Sequence, residues 1–429
     1  MDAAAPASPR PIEEPHEVHF TFTAPDAVTF NWRGNDTMAR YWGKGMPPRT
    51  VYAKTPAPLP FSSPGPWQEA TFAGLEPGAE VQYQIGNPER PQQQSFRAPP
   101  PAGATGFSFV AVGDIGATSE WLPTRVLHRL IAIANPAFVL GLGDLTYGDA
   151  RAQGSVDRHF DDVMAWSRRS AYMPVWGNHE WETGQDDLRN YKGRFALPNA
   201  AASPGAPGDG CCGEDWYWFD HGAIRVIVYP EPYRPETWID WAAKAEPVFA
   251  AAERNPALRF VLTAGHRSAY SSGVRGGDPA LRAILDGFGK RFDKYVLNLS
   301  GHEHVYERTK PQGHVVHVTA GIGGAALQHA PTPCFWSSCQ PPPFTARRAI
   351  HHGLVKVSVQ PEMLVLELIC GPEAPPNDEV RCAEGDIIDR TTIPRPAHPV
   401  ADAGGARSET RPETRPQTGN GRHIKTAVK

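Results

Sequence analysis

Between Glu17 and Arg97 apolar and polar residues alternate in short runs, among them Val18-His19-Phe20-Thr21-Phe22, Ala27-Val28-Thr29-Phe30-Asn31-Trp32 and Val81-Gln82-Tyr83-Gln84-Ile85, with Gly, Pro and Asn turns between them. A period of two over short segments predicts antiparallel strands, so residues 17–97 are expected to form an all-β sandwich. Beyond residue 105 the pattern changes. Continuous apolar runs at Phe107–Val112, Phe138–Leu142, Tyr172–Trp176, Phe260–Thr263, Tyr295–Leu299 and Val315–Thr319 alternate with helix-period segments at Trp121–Ala134, His159–Ser167, Thr237–Arg254 and Pro279–Gly289. Strands apolar on both faces, separated by helices, predict parallel crossovers and a layered α/β domain whose loops cluster at one end.

The expected organisation is therefore two-domain: a lead-in at 1–16, the sandwich at 17–97, a linker at 98–104, the α/β domain at 105–391 and a tail at 392–429. The linker reading rests on Ala98-Pro99-Pro100-Pro101-Ala102-Gly103, because proline fixes φ and stiffens the chain. The tail has no apolar period and carries the near-repeat Glu409-Thr410-Arg411-Pro412-Glu413-Thr414-Arg415-Pro416, which predicts disorder. Residues 199–213 and 328–348, rich in Gly, Pro and Ser, read as surface loops.

Composition narrows the function. The chain has 429 residues, is 40% hydrophobic and carries a formal net charge of -4, so nothing global draws it to nucleic acid or an acidic membrane. No apolar run reaches the roughly 20 residues of a membrane-spanning helix. The start, Met1-Asp2-Ala3-Ala4-Ala5-Pro6, lacks a basic segment followed by an apolar core. Six cysteines, with Cys334/Cys339 and Cys370/Cys382 as local pairs, favour an oxidising compartment, secreted or periplasmic, over the cytoplasm. For Cys211-Cys212 a vicinal bridge, bridges to distant partners and free thiols all stay open.

The chemistry sits where apolar runs end. Gly113-Asp114, Gly143-Asp144-Leu145-Thr146-Tyr147, Gly177-Asn178-His179-Glu180, Gly265-His266 and Gly301-His302-Glu303-His304 each deliver ligand-type side chains just past a strand. Donors so far apart in sequence converge only if several strands present their C-terminal loops to one crevice, where open α/β sheets bind ligands. Carboxylate, amide, imidazole and phenolate donors in such a crevice predict a split dinuclear metal site and metal-assisted hydrolysis of a phosphate ester. Asp144 has two oxygens with which to bridge two cations. Tyr147 discriminates: a phenol, ordinarily losing its proton near about pH 10, becomes a ligand mainly to a strongly Lewis-acidic ion such as Fe(III). His351-His352, His314 and His317 fall outside these runs and read as structural or surface groups.

The ordered set Asp114-x-Gly116, Gly143-Asp144-x-x-Tyr147, Gly177-Asn178-His179-Glu180, His266 and Gly301-His302-x-His304 resembles the calcineurin-like metallophosphoesterases, and with Tyr147 it looks like a purple acid phosphatase. Tyr191-Lys192-x-Arg194-Phe195-x-x-Pro198, Trp216-Tyr217 and Tyr306-Glu307-Arg308 agree with it. The resemblance implies a layered α-β-β-α sandwich and a centre of Fe(III) plus a divalent metal (Zn, Mn or Fe). By that resemblance Asp114, Tyr147 and His304 would hold the trivalent ion, Asn178, His266 and His302 the divalent one, and Asp144 would bridge. Hydroxide generated on the metals would attack phosphorus, and His179 would stabilise the transition state or protonate the leaving group.

Leu75-Glu76-Pro77-Gly78-Ala79-Glu80-Val81-Gln82-Tyr83 resembles the turn and strand of fibronectin type III-like domains, with Val81 where the corner tyrosine usually stands, so that hydrogen bond is expected to be missing. Plant-type relatives carry two histidines shortly after the ligand equivalent to His266. Here the loop reads His266-Arg267-Ser268-Ala269-Tyr270-Ser271-Ser272-Gly273-Val274-Arg275-Gly276, leaving Arg275 or Arg267 as candidates for binding phosphate through the guanidinium fork. The leading reading is an acid phosphatase acting on a phosphorylated small molecule. A phosphodiesterase or phospholipase of the same fold is the alternative, and a non-catalytic surface-binding protein is the third.

Overall fold

The computed structural model describes residues 14–86, 93–116, 122–148, 153–182, 188–206, 213–328, 340–374, 378 and 380–396. Alternation in the N-terminal region does produce a sandwich. Strands β1 (His16–Ala24), β2 (Ala27–Arg33) and β5 (Trp67–Ala73) form one antiparallel sheet, and β3 (Met38–Gly43), β4 (Met46–Tyr52), β6 (Glu80–Ile85) and β7 (Gln94–Arg97) form the other. Rings from the two sheets interdigitate: Phe30 lies 4.6 Å from Tyr83, Tyr41 stacks on Phe72 at 4.5 Å, and Phe20 lies 4.9 Å from Phe96. Tyr83 does not close a corner within the sandwich; its hydroxyl donates to the Arg168 carbonyl at 2.8 Å.

Strand β1 is buried on both faces, although its pattern alternates. Phe20 fills the sandwich, while the polar residues Glu17, His19 and Thr21 face the α/β region and Phe22 packs on its Phe138 and His221 at 6.0 Å and 4.8 Å. Thr21 donates to the Ala196 carbonyl at 2.7 Å, and a ring nitrogen of His19 lies 2.6 Å from the Arg194 carbonyl. At the centre is Arg194, itself buried. Its guanidinium donates to Glu17 at 2.9 Å, Asp157 at 2.8 Å, Ser62 at 2.7 Å and the Asn190 carbonyl at 2.6 Å. The segment 98–104 is docked as well, since Gly103 donates to the Gly222 carbonyl and Ala104 accepts from Ala223. Residues up to Pro396 consequently form one compact unit.

Two sheets make the centre of the α/β region. The first has the order β10-β9-β8-β18-β19-β20, with β8 (Phe107–Val112), β9 (Phe138–Leu142) and β10 (Ala171–Val175) parallel, and β18 (Gly353–Val359), β19 (Met363–Cys370) and β20 (Ile387–Pro394) antiparallel. The second has the order β11-β12-β13-β14-β16-β15-β17. In it β12 (Ile224–Val228), β13 (Phe260–Ala264), β14 (Tyr295–Ser300) and β16 (Val316–Ala320) run parallel, flanked by β11 (Trp218–His221), β15 (Tyr306–Thr309) and β17 (Thr345–Ala349). Helix α1 (Leu122–Ala134) packs against β18 of the first sheet, α2 (Gly154–Asp162) and α3 (Met164–Ser167) pack against β1 of the sandwich, and the short α4 (Leu188–Lys192) follows the β10 loop. α5 (Thr237–Arg254) and α6 (Pro279–Gly289) cover the second through Trp241, Phe249, Leu285 and Phe288. Helix α6 starts where its sequence says it should, with the Asp278 carboxylate accepting from the Ala280 and Leu281 amides and Pro279 at the first helical position.

Strands β12, β18 and β19 fall outside the runs expected from sequence, and two boundaries also differ from expectation. Residues 345–348, read as loop, belong to edge strand β17, and β20 continues through Thr392 to Pro394, past the expected start of the tail. Both are edge strands with many polar residues, Thr345-Ala346-Arg347-Arg348-Ala349 and Ile387-Ile388-Asp389-Arg390-Thr391-Thr392-Ile393-Pro394, so a search for apolar runs passes over them. Residues 397–429 of the tail, Cys211-Cys212 and Cys334/Cys339 lie outside the described residues. Among the described residues no helix is long and apolar enough to cross a membrane.

Removing one partner from a buried ion cluster leaves charge without compensation. Arg194→Met is therefore expected to cost about 3–5 kcal/mol of unfolding free energy, read by denaturant titration; a loss below about 1 kcal/mol would show that the cluster does not hold the sandwich in place.

Candidate metal centre

Each candidate ligand stands just beyond the C-terminal end of a parallel strand. Asp114 follows β8, Asp144 and Tyr147 follow β9, Asn178 and His179 follow β10, His266 follows β13, and His302 and His304 follow β14. Three strands of one sheet and two of the other thus point their loops at the same place. The backbone is bent to do so: Asp114 (φ 57°), Asp144 (φ 48°) and His302 (φ 69°) occupy the left-handed region that side chains seldom adopt. Such outliers persist where surrounding structure over-determines them, commonly at functional sites. Gly143 (φ 83°) precedes Asp144, and a Cβ there would collide with the His266 ring.

The donors fall into two clusters. The Tyr147 hydroxyl lies 3.1 Å from Asp114 Oδ1 and 3.1 Å from His304 Nε2, and His304 Nε2 lies 3.0 Å from Asp114 Oδ1. In the second cluster His266 Nε2 lies 3.2 Å from Asn178 Oδ1, 3.1 Å from His302 Nδ1 and 3.3 Å from Asp144 Oδ2. Oxygens and nitrogens about 3 Å apart match the spacing of donors around one ion held at about 2.0–2.2 Å. Asp144 belongs with both sets, since donor atoms of Asp114, Asp144 and His304 lie within 4.8 Å of one another. The donor chemistry also fits: hard oxygen on the Tyr147 side, mixed imidazole and amide on the other.

Outer hydrogen bonds aim the rings. His266 Nδ1 lies 2.9 Å from the Leu142 carbonyl and His304 Nδ1 lies 2.7 Å from the Ala326 carbonyl, so each turns Nε2 inward. His302 is different. Its Nε2 accepts from Arg267 Nη1 at 2.8 Å, since a guanidinium can only donate. Arg267 is itself held by Glu182 at 2.9 Å and Glu231 at 3.1 Å, which commits its fork to the protein. Arg275 donates from Nη1 to the His302 carbonyl at 2.9 Å, and its amide donates to Glu303 at 2.8 Å, turning that carboxylate away from the cluster.

Electrostatics mark the site as short of positive charge. Burial pushes the Tyr147 phenol well above its usual range, and the carboxylates of Asp114 and Asp144 push it further. Burial alone would lower His266, but the Asp144 carboxylate beside it raises it to about 10. Burial would raise Asp144, and the His266 charge instead holds it well below the ordinary carboxylate range. His179 donates its amide to Asp144 Oδ1 at 2.9 Å, while its Nε2 lies 3.9 Å from Asp144 Oδ2. Its Nδ1 is buried without a hydrogen-bond partner among the described residues.

Sequence reasoning gave no role to Glu180. This buried carboxylate accepts from the amides of Gly177 at 2.7 Å, Asp144 at 3.0 Å and Leu145 at 2.9 Å, pinning the β9 loop to the β10 loop. A signal was present, because Glu stands three residues after Gly177, the capping-box spacing. Glu231 and Glu182, which hold Arg267, gave no comparable signal, while Glu307, within the Tyr306-Glu307-Arg308 run, accepts from the Ser272 amide at 2.6 Å and steadies the loop carrying Arg275.

Residues 107–306 match the calcineurin-like phosphoesterase family. Purple acid phosphatase from yellow lupin (Lupinus luteus) seeds is similar in structure, with a TM-score of 0.68 at 19% identity over 89% of this chain and 74% of that one. PhoD is also similar, with a TM-score of 0.62 at 13% identity over 90% of this chain and 93% of that one. At such identities the likeness concerns the fold. No curated protein matches the chain by sequence.

Proposed function

We propose that the chain hydrolyses phosphate monoesters at a dinuclear centre of the purple acid phosphatase kind, with Fe(III) on Asp114, Tyr147 and His304, a divalent metal (Zn, Mn or Fe) on Asn178, His266 and His302, and Asp144 between them. The observation that carries this is the separation of donors into two triads about one shared carboxylate, with a phenol in only one of them. When bound, the ions supply a Lewis-acidic centre that binds the phosphoryl oxygens and provides a nucleophile at moderate pH. The calcineurin-like match supports phosphoester chemistry, and the phenol supports the narrower reading.

The chain's own residues do the rest. Glu180 fixes the loops of Asp144 and Asn178 against each other before substrate arrives. In this reading His179 hands a proton to the leaving oxygen, which its partial exposure and its position beside Asp144 support. Arg275 is the better candidate for phosphate, because Arg267 is engaged by two carboxylates and His302. We read 17–97 as a fibronectin type III-like sandwich, supported by its sheets of three and four strands, and 105–391 as the catalytic domain. The Cys370–Cys382 disulfide supports a secreted or periplasmic setting.

His179→Ala is expected to keep both metals and to bind inorganic phosphate nearly as before, while turnover of monoesters falls by about 10²-fold or more. Single-turnover kinetics with metal analysis on the same sample decide it, and metal loss alongside the lost turnover would make His179 a ligand instead. The phenol has its own signature. Oxidised, iron-loaded protein should show a visible charge-transfer band that disappears in Tyr147→Phe, and ferric protein without such a band would leave only the broader metallophosphoesterase reading.

A further inference from the structure

The loop that follows β13 and His266 carries two exposed side chains, Val274 and Arg275, beside the ligands of the second cluster. Arg275 Nη1 donates to the His302 carbonyl at 2.9 Å, which fixes one end of the guanidinium against the backbone of a candidate ligand. Its Nε and Nη2 have no partner among the described residues. That edge is the one with which this chain grips carboxylates elsewhere. Arg225 uses Nε and Nη2 on Asp220 at 2.6 and 2.8 Å, and Arg308 uses them on Asp389 at 2.7 and 3.0 Å. Arg267 has no such edge left, since its Nε, Nη1 and Nη2 meet Glu231, His302 and Glu182. Arg275 thus holds an open two-pronged donor at the site, the geometry that suits an oxyanion.

The fork is ordered in advance. Two buried carboxylates anchor the loop, and neither is a candidate ligand. Glu303, between His302 and His304, accepts from the Arg275 amide at 2.8 Å, and Gly273 passes so close that a Cβ there would collide with its other oxygen. Glu307 accepts from the Ser272 amide at 2.6 Å, the Ser272 hydroxyl at 2.8 Å and the Thr345 hydroxyl at 2.6 Å, tying the loop to β15 and edge strand β17. The Gly276 amide donates to the Gly273 carbonyl at 3.2 Å and closes the turn that has Val274 and Arg275 at its tip. A loop already held in this way has less freedom to lose when its arginine meets a ligand.

We propose that Arg275 selects substrates by the charge of the phosphoryl group, favouring monoesters over diesters, and that Glu307 is the positioning residue that presets it; the proposal rests on the phosphoester reading above. A monoester presents three terminal oxygens and, above about pH 6, two negative charges, whereas a diester presents two oxygens and one charge. A forked cation therefore gains more from the monoester.

The test uses the full-length, metal-loaded chain with 4-nitrophenyl phosphate and bis(4-nitrophenyl) phosphate, which share a leaving group, and inorganic phosphate as the calorimetric probe. Metal content is measured on every sample. In Arg275→Ala phosphate binding is expected to weaken about 10-fold or more, and the monoester-to-diester ratio of kcat/KM to fall by about 10-fold, with the monoester loss in KM more than in kcat. In Glu307→Ala the Ser272 amide should exchange its hydrogen faster and phosphate should bind more weakly, while Glu307→Gln, which keeps an acceptor for that amide, should restore most of both. Ser272→Pro removes the same bond from the loop side should Glu307→Ala not fold. Either change combined with Arg275→Ala should bind phosphate no more weakly than Arg275→Ala alone. The proposal is overturned if Arg275→Ala binds phosphate and discriminates between the esters as the parent does, or if the combined variant shows the full product of the two single losses. A parent that takes up metal and cleaves neither ester removes the phosphoester reading itself, and the proposal with it.

Discussion

Asp144 is where the two sheets become one site. It follows a strand of the first sheet, yet its carboxylate lies 3.3 Å from His266, which follows a strand of the second. Its backbone is fixed by Glu180, and its other oxygen is taken by the His179 amide. A buried carboxylate in such company is stable only with compensating positive charge. In the protein alone His266 supplies that charge, which is why its imidazole is raised to about 10 while Asp144 is held low. Two cations between the triads would free His266 to be neutral and Tyr147 to be anionic, reversing both shifts. The same carboxylate therefore organises the loops, sets the titration of its neighbours and creates the demand for metal.

Holding five loops to that geometry needs a stiff support, and part of the support comes from the N-terminal sandwich. The polar face of β1 lies against the segment around Arg194, and Arg194 reaches Asn190 in the short helix that follows the β10 loop. Tyr191 of that helix has its hydroxyl within 2.5 Å of Thr146 Oγ1, beside Asp144. A packed path thus runs from Glu17 through Arg194 to the β9 loop. The sandwich is joined to the catalytic layers through buried charge, and this is a different relationship from that of a domain carried on a flexible linker.

The fold was largely legible because its signals are local. Continuous apolar runs gave six of the seven parallel strands to within a residue or two and passed over β12, β18 and β19, and period-two runs gave the sandwich. At the sheet edges what escaped was polar. Strands β17 and β20 lie at sheet edges, where one side needs no apolar partner, and their sequences resemble loops. At the site, residues lying just past strands announced themselves through the Gly-Asp, Asn-His and His-x-His pattern, and their convergence is visible in the donor distances. Glu231 and Glu182 act across long sequence separations on Arg267, which is not itself ligand-like, and no spacing rule points to them. Nor could sequence say that Arg267 would be taken up by neighbouring carboxylates.

The central claim is that one carboxylate serves two ions, and the direct measurement is the metal content of Asp144→Asn beside the parent chain, each loaded under the same conditions and checked for folding by circular dichroism. A neutral amide in that position cannot balance two cations. The account predicts two ions per parent chain and reduced occupancy at both positions in the variant. Two fully occupied positions in folded Asp144→Asn, or a parent chain that takes up no metal, would contradict it.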